Sequence, residues 1–218
     1  MLYQDITERV HTEKALQDSY NKLDKTLDAV IQTMALTVEM RDLYTAGHQQ
    51  GVARLACAIA EEMHLPQEKI KGIRVVGAVH DIGKIRVPAE ILSKPGRITE
   101  AEFSIIKEHP RTGYDILKGI DFPWPVAQAV LQHHERMNGS GYPNQLSGDS
   151  IILEARVLAV SDVVEAMASH RPYRPALGID KALEEISRNK GSLYDITVVD
   201  ACLKLFREKR YNLEHTVT

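Results

Sequence analysis

Between Thr12 and about Met40 the chain carries neither proline nor glycine, while Leu16, Leu23, Leu27, Val30, Met34 and Val38 recur at intervals of three, four and seven. That spacing gathers apolar side chains on one side of a helix and of no other regular structure, because the helical period is 3.6 residues. Glu13, Lys14, Asp18, Lys22, Asp24 and Lys25 fill the gaps, so the stripe is narrow, as in a coiled coil or an interhelical connector. From Leu27 onward the same stripe is expected to become the first core helix.

The rest of the chain repeats the helical pattern. Val52, Leu55, Ala56, Ile59, Ala60 and Met63 form an apolar face before Pro66, which opens a further helix running through Ile73, Val76 and Val79 to His80 and Asp81. Thr99 and Glu102 predict a capping box ahead of Phe103. Helices are expected over 123–134, 151–168, 180–188 and 195–207, with a loop rich in Gly, Asn, Ser and Pro over 138–148. Aromatic residues make up only 6% and few segments alternate, which argues against a β-sandwich. The predicted fold class is all-α, a helical bundle with a long N-terminal helix and additional C-terminal helices.

A length of 218 residues suits one domain with a short appendage. The net charge of -3 provides no basic field for duplex nucleic acid, so phosphate on a substrate must be met locally, by a few Lys and Arg or by cations. Cys57 and Cys202 read as small apolar residues on helices, and supply neither a thiolate zinc site nor a disulfide framework. No stretch approaches the roughly 20 apolar residues of a membrane span, and no signal peptide opens the chain. The expected location is the cytoplasm, with a parent protein free to be membrane-tethered.

Nine histidines are present, and His80-Asp81 and His133-His134 are adjacent pairs where helices run into glycine-containing loops. Neighbours on a helix point about 100° apart, so both members of a pair can serve one site only at a helix end, or else face two metals; His133-His134 fits two metals, or one metal and its surroundings. Imidazole and carboxylate without thiolate suit Fe, Mn, Co, Ni or Zn in a hydrolytic site. Two such ions about 3.5–4 Å apart can clamp an in-line displacement at phosphorus, and Asp81 is the obvious carboxylate to bridge them. Asp162 lies among Leu158, Val160, Val163 and Val164, where an unpaired carboxylate is costly, so a ligand role is expected there too.

His80-Asp81-Ile82-Gly83-Lys84, then His133-His134-Glu135, then Gly139 to Pro143 make an ordered set that resembles the HD-GYP family. The likeness extends through Arg41–His48, Val87–Gly96 and Ser169–Arg174, over roughly residues 30 to 210. It implies a phosphodiesterase that hydrolyses cyclic di-GMP to the linear dinucleotide pGpG, in some members onward to GMP. It also implies two divalent metal ions, with Fe or Mn foremost and Ni, Co or Zn compatible. His48, His80, Asp81 and Asp162 would hold the first, and Asp81 would bridge to a second on His109, His133 and His134. Lys84 would steady the phosphate, Tyr142 would shape the site mouth, and Arg171 and Arg174 would contact phosphate or guanine. Glu135 is expected to stand behind the histidine pair. His109 precedes Pro110, which predicts a helix end there.

Two departures from the family pattern stand out. Tyr44 occupies the position where some members carry a Glu that supports a third metal, so a dinuclear centre is expected. Asn138 replaces the usual Asp before the loop glycines, a change that a left-handed turn tolerates. Tyr3–Val10 resembles the exit of a PAS sensor domain followed by its signalling helix. The expected division is therefore 1–28 as linker, 29–212 as the HD-GYP domain and 213–218 as tail. The N-terminal helix is expected to make a homodimer, and the Gly-Tyr-Pro loop is a candidate docking point for a protein partner. Two competing functions are a cyclic di-GMP receptor without turnover and a phosphohydrolase for another nucleotide.

Overall fold

A computed structural model describes residues 2–41, 47–94, 96–169, 176–209 and 211–213. Among them are ten α-helices and no extended strand; the nearest approach is a pair of isolated bridges, Asn138 with Ser147 and Lys190 with Tyr194. In chain order the helices are α1 (Leu2–Glu39), α2 (His48–Glu62), α3 (Gln67–Val79), α4 (Ala89–Leu92), α5 (Glu100–Ile106), α6 (His109–Leu117), α7 (Val126–Gln132), α8 (Leu153–Ala168), α9 (Ile179–Arg188) and α10 (Ile196–Arg207). A short 3-10 turn, Ile82–Arg86, follows α3. None of the described helices is long and apolar enough to cross a membrane.

Helix α2 packs against both α3 and α8, and these three helices divide the interior in two. On one side Leu55, Ile59, Ile73, Val160, Val164, Ile186, Val198 and Cys202 make a core with α9 and α10. On the other, Val52, Val75, Val76, Val79, Leu117, Val130 and Leu158 pack with α6, α7 and the end of α1. Local signals hold the helices in register. Thr99 and Glu102 form the capping box at α5, and the Asp195 carboxylate accepts from the backbone N–H of Thr197 and Val198 at α10.

Two expectations change. The N-terminal helix is continuous from Leu2 to Glu39. Its core face is Ile31, Ala35 and Val38, with Met34 half-buried, whereas Leu27 and Val30 stay 46% and 51% exposed. The buried face is turned about one residue from the stripe because α1 packs chiefly against α3 and the 3-10 turn, at its C-terminal end. His109 begins α6, with Pro110 in its first turn, rather than ending a helix. Proline suits that position, since the N–H it lacks would have no helical acceptor.

Candidate metal centre

His80 and Asp81 sit where α3 gives way to the 3-10 turn, at the buried end of the bundle. The turn is close-packed: a side chain on Gly83 would place its Cβ 1.9 Å from the His109 carbonyl oxygen. Glycine there lets α6 lie directly on the turn, and His109 Nε2 comes 3.3 Å from Asp81 Oδ1. His133 and His134 follow the end of α7, Asp162 is on α8, and His48 is the first residue of α2.

Two groups of three ligand atoms result, each with its atoms within 4.8 Å of one another: His48, His80 and Asp162, and His109, His133 and His134. Asp81 lies between them. Its Oδ1 faces His109, and its Oδ2 lies 3.6 Å from His80 Nε2 and 2.6 Å from Lys84 Nζ. Lys84 arrives there by the 3-10 turn, so its partner three residues back is Asp81.

The rings are oriented from behind. His80, His109 and His133 each direct Nδ1 at the carbonyl oxygen three residues earlier, Gly77, Ile106 and Val130, at 2.7, 2.7 and 2.6 Å. That contact places the proton on Nδ1 and turns a bare Nε2 inward, the tautomer a metal ligand requires. His80 Nε2 is buried with no hydrogen-bond partner, an unsatisfied acceptor that a cation would fill. The residues present therefore fit divalent cations bound through nitrogen and oxygen.

Electrostatics separate the two groups. Burial pushes His109 down to about 4 and His133 down to about 3, and holds His134 well below the ordinary imidazole range, so these rings are neutral at pH 7. Burial acts the same way on His48, but Asp162 and Glu165 outweigh it and raise that ring to about 9. Burial opposes charge on Asp81 and Asp162 as well. Lys84 holds the first well below the usual carboxylate range, and His48 does so for the second.

At the mouth, Tyr142 lies over His134 with ring centroids 4.7 Å apart, and meets Phe103 of α5 edge-on at 6.4 Å. Lys107 reaches over both the Phe103 and Tyr142 rings. Glu135 is placed differently from expectation. Its buried carboxylate accepts from the backbone N–H of Asn144 and Leu146 at 2.7 and 3.0 Å, so it secures the loop bearing Tyr142 rather than the histidine pair. Asn138 makes an Asx turn by accepting from Ser140 N–H, and the left-handed residue beside it is Gly139. Arg171, Arg174 and Tyr44 lie outside the described residues.

Two carboxylates escaped the sequence reading. Glu39, at the end of α1, accepts from the N–H groups of Gly47 and Gln49 at 3.0 Å each, and so fixes the start of α2 that carries His48. Glu165 meets His48 Nδ1 directly and accepts from Ser169 Oγ at 2.6 Å. Its signal was its spacing: it follows Asp162 by three residues, on the same face of an apolar helix.

Known proteins resemble this chain. A cyclic di-GMP phosphodiesterase response regulator, RpfG, from Xanthomonas campestris is 39% identical over 194 residues, covering 88% of this chain and 51% of that protein. A cyclic di-GMP phosphodiesterase from Thermotoga maritima is 37% identical over 198 residues, covering 90% and 54%. The chain thus spans about half the length of these curated relatives. The crystal structure of a cyclic GMP-AMP specific phosphodiesterase of Vibrio cholerae superposes with a TM-score of 0.64 at 18% identity, over 85% of this chain and 51% of that one, a likeness of fold. The model of the HD domain matches residues 15–198, well over half of the sequence, and the chain belongs to the HD domain family.

Proposed function

We propose that this chain is the catalytic part of a bacterial cytoplasmic phosphodiesterase that hydrolyses cyclic di-GMP to linear pGpG with the help of two divalent cations. The observation that carries this reading is the pair of three-ligand groups on either side of the Asp81 carboxylate. His48, His80, Asp81 and Asp162 would hold one cation, and Asp81, His109, His133 and His134 the other. Fe or Mn is the first choice, and the same donors accept Ni, Co or Zn. When bound, such ions supply Lewis acidity toward the phosphodiester and make water a better nucleophile.

The chain's own residues do the rest. The Lys84 ammonium, already beside Asp81, is within reach of a phosphoryl oxygen and balances the charge that grows there. Tyr142, Phe103 and Lys107 form an aromatic and cationic rim suited to a purine and its phosphate. Arg171 and Arg174 are assigned to phosphate or guanine from the family resemblance. The loop bearing Tyr142 also remains a candidate docking point for a protein partner.

Residues 1–28 are read as a linker, 29–212 as the catalytic domain and 213–218 as a tail. Support comes from α1, where Leu16, Tyr20, Leu23, Leu27 and Val30 are exposed while Ile31, Ala35 and Val38 are buried. Leu16, Leu23, Leu27 and Val30 recur by seven, four and three along that exposed side, the spacing of a two-stranded seam, and are assigned to a parallel homodimer.

The test is to incubate the metal-loaded protein with cyclic di-GMP and separate the products by chromatography, with elemental analysis alongside. Two cations per chain and release of pGpG are expected, and onward GMP would mark a second cut. Tight binding without cleavage would make the chain a receptor. Cleavage confined to cyclic GMP-AMP or another nucleotide would reassign the substrate.

A further inference from the structure

His48 differs from the other inward-facing rings in what stands behind it. His80, His109 and His133 rest on neutral backbone carbonyls. His48 rests on a carboxylate 117 positions away in sequence, that of Glu165, which is 2% exposed. The fold makes room for it: a Cβ at Gly51 would sit 2.9 Å from both Cγ and Oε1 of Glu165. Burying a full charge against a ring is costly unless that charge is compensated. Ser169 supplies one hydrogen bond, at the end of α8, which would also suit a purely structural role.

The two halves of the centre are therefore unequal in charge. Both face the shared Asp81. Beyond it, the half made by His48 and His80 holds Asp162 among its ligands and Glu165 behind one of them. The half made by His109, His133 and His134 offers three imidazoles and no carboxylate of its own. A carboxylate behind a ligating imidazole raises its basicity and fixes its orientation, and losing such a partner typically weakens metal binding 10–100-fold.

We infer that Glu165 is a positioning residue that raises the cation affinity of the His48–His80–Asp162 half above that of the other, so that the centre fills in a fixed order. The inference rests on the reading of this site as a metal centre. On that reading Asp162 and Asp81 would hold the first cation, and a second would be held by His109 with the His133–His134 pair that follows α7. Glu165 touches no substrate and acts only through the His48 ring.

Titration of the metal-free chain with Co²⁺, followed by visible absorption and by equilibrium dialysis, tests this without any turnover. Wild type should show two classes of site at least tenfold apart, with His48→Ala removing the tighter and His134→Ala the weaker. Glu165→Gln keeps an acceptor for the His48 Nδ1–H and a group for Ser169 while removing the charge. It should weaken the tighter class about 10–100-fold and leave the weaker class unchanged, at an unaltered melting temperature. Unchanged affinities in Glu165→Gln, or equal loss at both classes, overturn the inference. If that variant does not fold, two wild-type classes of equal affinity overturn it instead. Wild type that binds no cobalt removes the metal centre itself, and the inference with it.

Discussion

Lys84 Nζ lies 2.6 Å from Asp81 Oδ2, and the two meet because side chains three apart eclipse one another in the 3-10 turn of Ile82–Arg86. The same carboxylate faces both ligand groups. One residue thus joins the candidate cation positions to the cation fixed in the chain. Lys84→Ala should retain both metals and most substrate affinity while losing about 10²–10³ in turnover, roughly 2.7–4 kcal/mol of transition-state stabilisation. Asp81→Ala should empty at least one metal position and abolish turnover. Metal content paired with single-turnover hydrolysis distinguishes the two, and a wild-type rate in Lys84→Ala would remove the lysine from the chemistry.

Glu135 governs the loop that carries Tyr142. Glu135→Ala leaves the N–H groups of Asn144 and Leu146 without their acceptor, at a cost of roughly 1–3 kcal/mol for each that stays buried. Faster limited proteolysis within 138–148 and a raised KM are expected, with metal content unchanged. Loss of a cation in this variant would instead return Glu135 to a role behind His133 and His134.

The exposed seam of α1 predicts a concentration-dependent dimer. Leu16, Tyr20 and Leu23 are 70%, 65% and 67% exposed, an unusual load of apolar surface on one helix. Analytical ultracentrifugation should find a dimer for the whole chain and a monomer for residues 29–218. A monomer at high micromolar concentration in both would sink the seam.

Acid stability should depend on Glu62. This buried carboxylate at the end of α2 pairs with Lys204 of α10 and with Lys209, and the lysines hold its carboxyl near 2 rather than its ordinary 4.5. A carboxyl depressed in the folded state adds stability that is complete above the unfolded value and fades as pH falls from about 4.5 toward about 2. Glu62→Gln should therefore narrow the gap between urea midpoints measured at about pH 5 and about pH 3. An unchanged gap would show that the pair contributes nothing across that window.

Much of this molecule was legible because its signals are local. The capping box at Thr99 and Glu102 and the apolar faces of α2, α8 and α10 depend on residues within a turn or two of each other. So did the suspicion attached to Asp162, since a carboxylate amid valines announces its cost wherever the helix lies. The stripe of α1 was equally plain, yet which of its residues are buried was not. Helical periodicity specifies a face, and only the neighbour decides which face is covered; here α3 covers Ile31 and Val38 and leaves Val30 in solvent.

By itself, then, the sequence determined the all-helical class, most helix limits and the identities of the histidines and aspartates that gather in the centre. Tertiary structure alone decided how they are supported. His48 and Glu165 are 117 positions apart, Glu39 reaches across to the start of α2, and Glu135 turns from the histidines to a loop backbone. No spacing rule links such residues, because their contact depends on how whole helices dock. Docking in turn follows from steric fit at places such as Gly77 and Gly83, where one added carbon would meet the backbone of another element and push the two apart.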